Sequence, residues 1–338
     1  MLNESALYMK YKSSYQSAFQ DLGTHFIFLS CAYYCLWFFQ SSYVSIVTIP
    51  LLSLLNVKTF IIFHDCCHDS YTPNKTLNFV ISHITGILTF TSPNWAIDHN
   101  IHHLTNGNKD NKHRYKHNEL ISYTEKEYLD MSLTDRWLCD LFYNYKVFYT
   151  VVPFVYFGIS QRFLYILKKL KYKEKIPTLM NTIIFNHLVN NIGIVSVLYF
   201  VSKHTFLFHY CTFNYISFIF GFVLFHNQHT FNPSYVVDNK TWNTKDSGIL
   251  GSSFIQIPHF LKYFSGGIEY HHIHHINSKI PGYNLQKYHE EVVSKTPYFD
   301  NIVKVSMLEC FSNLKFRLYS ETKNRYIRLD EIKKDKVF

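Results

Sequence analysis

The hydrophobic pattern of this chain is one of long apolar runs set between polar stretches. Four runs approach or reach the roughly 20 apolar residues that a helix needs to cross a bilayer: 22–39 (LGTHFIFLSCAYYCLWFF), 43–63 (YVSIVTIPLLSLLNVKTFIIF), 179–202 and 205–225. Very few residues separate the members of each pair, so the pattern predicts two helical hairpins. Two further apolar stretches, 77–92 and 147–161, run to only about 15 residues, a length that fits an interfacial or re-entrant segment. Large polar segments cover 104–146 and 226–338.

Crossing parity refines this picture. Histidine-rich stretches follow the second long run, lie between the hairpins, and follow the fourth. If only the four long runs cross, all of these stretches share one membrane face, and the basic stretch KKLKYKEK (168–175) shares it with them. The positive-inside rule makes that face cytosolic. The expected architecture is therefore all-α and multi-pass: a four-helix membrane stem under a cytosolic helical cap. We read 1–338 as a single domain with a cytosolic segment at 1–21, a first transmembrane hairpin at 22–63 and an interfacial region at 64–178. A second hairpin at 179–225 and a cytosolic region at 226–338 complete it.

Composition agrees. Only 17% of the 338 residues are charged while 47% are hydrophobic, with 31 Phe and 27 Tyr. The net charge of +9 suits basic loops facing anionic lipid, not a nucleic-acid binder, whose polar surface would be dominated by basic residues. Seven cysteines without a CxxC pair indicate a reducing compartment and no disulfide framework. The polar N-terminus, MLNESALYMKYKSSYQ, lacks the apolar core of a cleavable signal peptide.

The candidate chemistry lies in three histidine clusters. FHDCCHDS carries His64 and His68. WAIDHNIHHLTNGN carries His99, His102 and His103. IEYHHIHHINSKIPGYNL carries His271, His274 and His275, with His272 extra. Helical residues three and four apart share a face, so HxxxH and HxxHH each aim imidazoles at one point. A lone histidine is more often a hydrogen-bonded core residue than a ligand. Three clusters at ligand spacing near a membrane edge are not explained that way. Eight nitrogens exceed what one zinc takes and suit two metal ions. Cys66 and Cys67 are adjacent and read as packing residues. Beside a lipid compartment the substrate offers unactivated C–H bonds, which side-chain acids and bases cannot break, so the chemistry favours a redox metal that activates O2: iron, or copper less readily.

These residues resemble the membrane-bound fatty acid desaturases. The resemblance covers about residues 56–290 and rests on three histidine boxes in order, on Trp95 opening the second box, and on the Pro-x-Tyr-Asn-Leu segment (281–285) closing the third. It implies a di-iron centre that uses O2 and two electrons to insert a double bond into a long acyl chain, carried as a lipid or on coenzyme A. It maps His64, His68, His99, His102, His103, His271, His274 and His275 onto the boxes as catalytic metal ligands. His229, in FHNQHTF, would be a ninth. No HPGG haem motif is present, so the electron donor, of cytochrome b5 or ferredoxin type, would be a separate protein. The implied setting is the endoplasmic reticulum or an equivalent membrane. Cys67 stands where many relatives have glycine, and Asn227 and Thr230 are uncommon neighbours of the Gln-His pair.

Two other readings are open at this level. The same scaffold serves lipid hydroxylases and carotenoid ketolases, and a histidine-rich membrane protein could simply bind metal. Among residues beside the ligands, Asp65, Asp69, Asp98 and Glu269 could accept an imidazole N–H, and Asp98, directly before His99, is preferred. Asn186, His187, Asn190 and Asn191 share a helix face within an apolar run, as interhelical hydrogen-bond partners or as tunnel lining. His113 and His117 repeat the HxxxH spacing in a charged stretch that reads as a solvated loop. The basic C-terminal segment KFRLYSETKNRYIRLDEIKKDK reads as an amphipathic or solvated tail at the membrane surface. Gly266 and Gly267 precede the third box as a backbone turn.

Overall fold

A computed structural model describes residues 9–39, 42–111, 122–167, 177–202 and 206–334. His113, His117 and the basic stretch 168–175 lie outside the described residues. The fold is built on long helices: α1 (Tyr15–Phe39), α2 (Ser42–Cys67), α3 (Lys75–Leu88), α4 (Trp95–Thr105), α5 (Leu133–Phe142), α6 (Tyr145–Leu167), α7 (Pro177–Ser202) and α8 (Phe206–His229). Helix α2 is central and packs against α1, α3 and α8. It is apolar on all sides, as a helix surrounded by other helices must be. Leu52 and Leu55 of α2 meet Leu29 and Leu36 of α1 and Tyr210 and Phe213 of α8 in the stem core. The outer faces keep large exposed apolar side chains, among them Ile27, Phe38, Ile46, Ile192 and Phe208. An aqueous surface would not carry so many, and a bilayer accommodates them.

Among the described residues, five helices are long and apolar enough to cross a membrane: α1, α2, α6, α7 and α8. Four were expected, and α6 is the addition. The stretch read as 147–161 is instead part of a longer helix that continues through Arg162 to Leu167. Here α6 passes into a π-helical segment, Val155–Leu164, and the polar side chains of Gln161 and Arg162 turn inward and are buried. The Arg162 guanidinium donates to Asn190, to Asn191 Oδ1 (2.9 Å) and to the Phe90 carbonyl (2.6 Å). The asparagine-rich face of α7 is thus hydrogen-bonding material between elements. Asn190 also donates to the Thr91 carbonyl, and Asn186 to Asn94.

The polar cap contains short helices, including α9 (Thr244–Leu250), α10 (His271–Ile276), α11 (Gly282–Glu291) and α12 (Met307–Asn313). Its core is formed by Tyr11, Tyr270, Ile273, Leu285 and Val292. The expected solvated tail is corrected here, because part of the C-terminal segment is folded. Strand β4 (Phe316–Ser320) pairs in parallel with β1 (Tyr123–Thr124) and antiparallel with β5 (Arg325–Arg328). A separate parallel pair joins β2 (Phe254–Gln256) to β3 (Lys304–Ser306). Leu318 and Ile327, fully buried, anchor the hairpin to Tyr128 and Cys139. Arg317 lies over the rings of Phe148 and Tyr149 and 3.3 Å from His226 Nδ1, tying this sheet to the end of α8. Alternation along 316–320 and 325–328 is too short to separate from a basic surface pattern, which hid the strands.

Candidate metal centre

Each histidine is delivered by a helix end. His64 sits in the last turn of α2, and His68 one residue beyond it. Helix α4 carries His99 and His103 one turn apart, with His102 rotated away. Helix α10 presents His271 and His275 one turn apart, with His274 on the other side. His229 ends α8. Gly266 and Gly267, both at positive φ, make the turn before α10, and a Cβ on Gly267 would collide with the Gly282 carbonyl.

The nine rings fall into two sets. His64, His68, His99, His103 and His274 form one, and His102, His229, His271 and His275 the other, with one nitrogen from each ring within 4.8 Å of the others in its set. Helices α4 and α10 feed both sets. In the first, Nε2 of His99 lies 3.0 Å from that of His64 and 3.1 Å from that of His103, which is 3.0 Å from that of His274. In the second, His229 Nε2 lies 3.0 Å from His102 and 2.8 Å from His271, which is 3.1 Å from His275.

Hydrogen bonding alone does not account for these contacts. An Nε2 atom carries one proton or one lone pair, yet His99, His103, His229 and His271 each face two others. Nε2 of His68 is buried with no hydrogen-bond partner. Convergent, buried imidazole nitrogens are what a metal ion replaces with ligand bonds. The donor set fits two ions: it is all nitrogen, and the adjoining thiols of Cys66 and Cys67 belong to neither group. Burial, with the neighbouring rings, pushes His68, His99, His103, His271, His274 and His275 well below the ordinary imidazole value. They are neutral at pH 7, as ligands must be.

Of the carboxylates beside the ligands, the contacts of three are resolved. Asp65 is a carboxylate that meets a ligand. Its Oδ1 accepts from His64 Nδ1 (3.0 Å), and its Oδ2 accepts the Gly282 N–H (2.6 Å). That bond leaves the His64 Nε2 lone pair facing the other rings. The carbonyl of Gly251 plays the same part for His229 Nδ1 at 3.2 Å. Glu269 is buried and accepts from Ser265, and Asp69 lies 3.9 Å from Lys75. Trp95 stacks on His99 with ring centres 4.1 Å apart. His272 belongs to neither set. It is buried against Phe254 and His289, and burial lowers its pKa to about 3.

An apolar cavity runs from these rings into the stem between α2 and α8. With its mouth, it encloses about 780 Å³. His64, His99 and His271 line one end, so it touches both sets. Phe60, Phe157, Phe222 and Phe225 contribute its walls. A second, more polar cavity reaches His102 and His229 past Thr105, Asn108 and Lys109.

Two buried sets of histidines meeting an apolar slot define a candidate metal site beside an apolar cavity. The fatty acid desaturase family profile matches residues 41–303, and this chain belongs to that family. It is similar to a fatty acid desaturase of Bacillus subtilis, with 31% identity over 310 residues, covering 89% of this chain and 84% of that protein. It is 29% identical over 241 residues to an sn-1 acyl-lipid omega-3 desaturase (ferredoxin) of Nostoc, and 22% identical over 235 residues to an sn-1 oleoyl-lipid 12-desaturase of Picosynechococcus. It spans 63% of the length of each of these two.

Proposed function

We propose that this enzyme inserts a double bond into a long acyl chain, with O2 as co-substrate and a di-iron centre held by the nine histidines. His64, His68, His99, His103 and His274 hold one ion, and His102, His229, His271 and His275 the other. The observation that carries this reading is the apolar slot ending on rings of both sets. Bound there, iron supplies the O2 activation that removal of hydrogen from an unactivated methylene requires. Two hydrogens leave adjacent methylenes, and with two electrons and two protons from outside they reduce O2 to two waters.

The chain's own groups prepare this. The phenyl walls hold the hydrocarbon and keep water from the reacting carbons. Asp65 and the Gly251 carbonyl fix two imidazoles in the tautomer that faces inward. No lysine, arginine or carboxylate lines the slot among the described residues, so a charged head group stays outside and the methyl end enters first. The acyl group is lipid-borne or carried on coenzyme A, and electrons come from a separate donor of ferredoxin or cytochrome b5 type. The names of the Nostoc and Picosynechococcus relatives support a lipid-borne chain, and that of the Nostoc relative a ferredoxin.

The metal centre lies on the cytosolic side of the membrane. His102 and His229 are 3.0 Å apart, so an even number of crossings separates them. Of α6, α7 and α8, we read α7 and α8 as crossing. Expression in yeast with fatty-acid profiling by gas chromatography tests the reading. New olefins are expected in cells expressing this chain, and hydroxy acids without olefins would overturn it.

A further inference from the structure

Glycine is a poor choice inside a helix, because it loses more backbone freedom than alanine. Crowding explains two other helical glycines of this chain, though not Gly158, where an added Cβ would make only ordinary contacts with Phe154. A Cβ on Gly193 would strike Ile87, and one on Gly86 the Thr91 carbonyl. Gly221 in α8 is different. A Cβ there meets no atom within 4 Å, and the residue lines the apolar slot. Gly23 is equally uncrowded, but it lies on an exposed surface. At Gly221 the missing side chain is slot volume.

The slot's depth can be read along its two helices. Gly221 lies eight residues before His229, and Asn56 eight before His64, each about 12 Å along its axis. One turn deeper than Gly221, Ser217 meets Asn56, whose amide donates to Ser217 Oγ and to Asn214 Oδ1, both at 3.0 Å. Asn214 donates in turn to the Tyr210 carbonyl, and Ser217 to that of Asn214. These polar groups are spent on one another, forming a closed floor that offers nothing to a hydrocarbon beyond contact.

We propose that Gly221 sets how far the methyl end of the acyl chain descends past the histidines, with the Asn56–Asn214–Ser217 cluster as its floor. The proposal rests on the acyl-chain reading of the slot. Because the methyl end stops at a fixed depth, the site selects the reacting carbons by counting from that end. A side chain at position 221 raises the stop by about one helical turn, roughly 6 Å.

The test is a graded series, Gly221→Ala, Gly221→Val and Gly221→Leu, expressed in yeast with the double-bond position of the products mapped. Larger side chains are expected to move the new bond toward the methyl end or to shift turnover to shorter chains, in order of size. Purified variants, probed by competition of saturated fatty acids of graded length against a fluorescent fatty acid, are expected to lose affinity for the longest acid by about tenfold or more in Gly221→Leu. That measurement reads out even if the variant does not turn over. Asn56→Ala, which lowers the floor, should act in the opposite direction. Unchanged bond position and unchanged length preference across the series would overturn the proposal while leaving the desaturase reading intact. A wild type that forms no olefin would instead remove the reading beneath it.

Discussion

At the scale of single residues, the centre depends on neutral imidazoles held face to face. Replacing any one of His64, His103 or His274 with alanine is expected to abolish turnover without preventing membrane insertion. Retained activity in all three would refute the ligand assignment. Asp65 acts one bond further out. Asp65→Ala should weaken metal retention by about 10- to 100-fold, read as metal content after dialysis against a chelator. The same rings set a pH dependence. In the metal-free protein His68, His99, His103, His271, His274 and His275 stay unprotonated well below the ordinary value. The unfolded chain therefore binds more protons as pH falls through about 6.5, and stability drops there. A falling thermal midpoint of the metal-free protein between about pH 7.5 and pH 5.5 checks this. The same protons compete with metal, so retention should fall over the same range.

At the scale of elements, Arg162 shows how a charge can sit inside an apolar helix. Its guanidinium satisfies three acceptors from α7 and from the segment after α3. Arg162→Ala leaves buried acceptors without donors and should cost about 2–4 kcal/mol, measured as loss of thermal stability in detergent. Arg162→Lys should recover only part of it, because an ammonium does not reproduce the planar fork. This element also marks where sequence reasoning stopped short. The two hairpins, α3 as a short segment, and the convergence of three histidine clusters were legible, because apolar run length and 3–4 spacing are local signals. The extension of α6 was not, since the partners that make Arg162 tolerable lie far along the chain. The pairing of β4 with β1 and the bond between Asp65 and Gly282 are equally non-local.

At the scale of the whole molecule, the stem and cap are joined through the histidines and the slot below them. Slot and centre share His64, His99 and His271, from α2, α4 and α10, so one set of helix ends shapes both. Single cysteines replacing Lys12, Lys240 or Lys323 should all react with a membrane-impermeant maleimide from the cytosolic face. Labelling of Lys240→Cys and Lys12→Cys from opposite faces would refute the even crossing count.

The division of the two histidine sets also has a biosynthetic meaning. Each set draws on α10: one needs His274, the other His271 and His275. While the ribosome is making the first 270 residues, neither set can be complete, although six of the nine rings and every long helix have already been made. An ion that needs either complete set can therefore be taken up only after those helices have been made. A chain released early would reach the membrane with its stem laid down and its two sites half built.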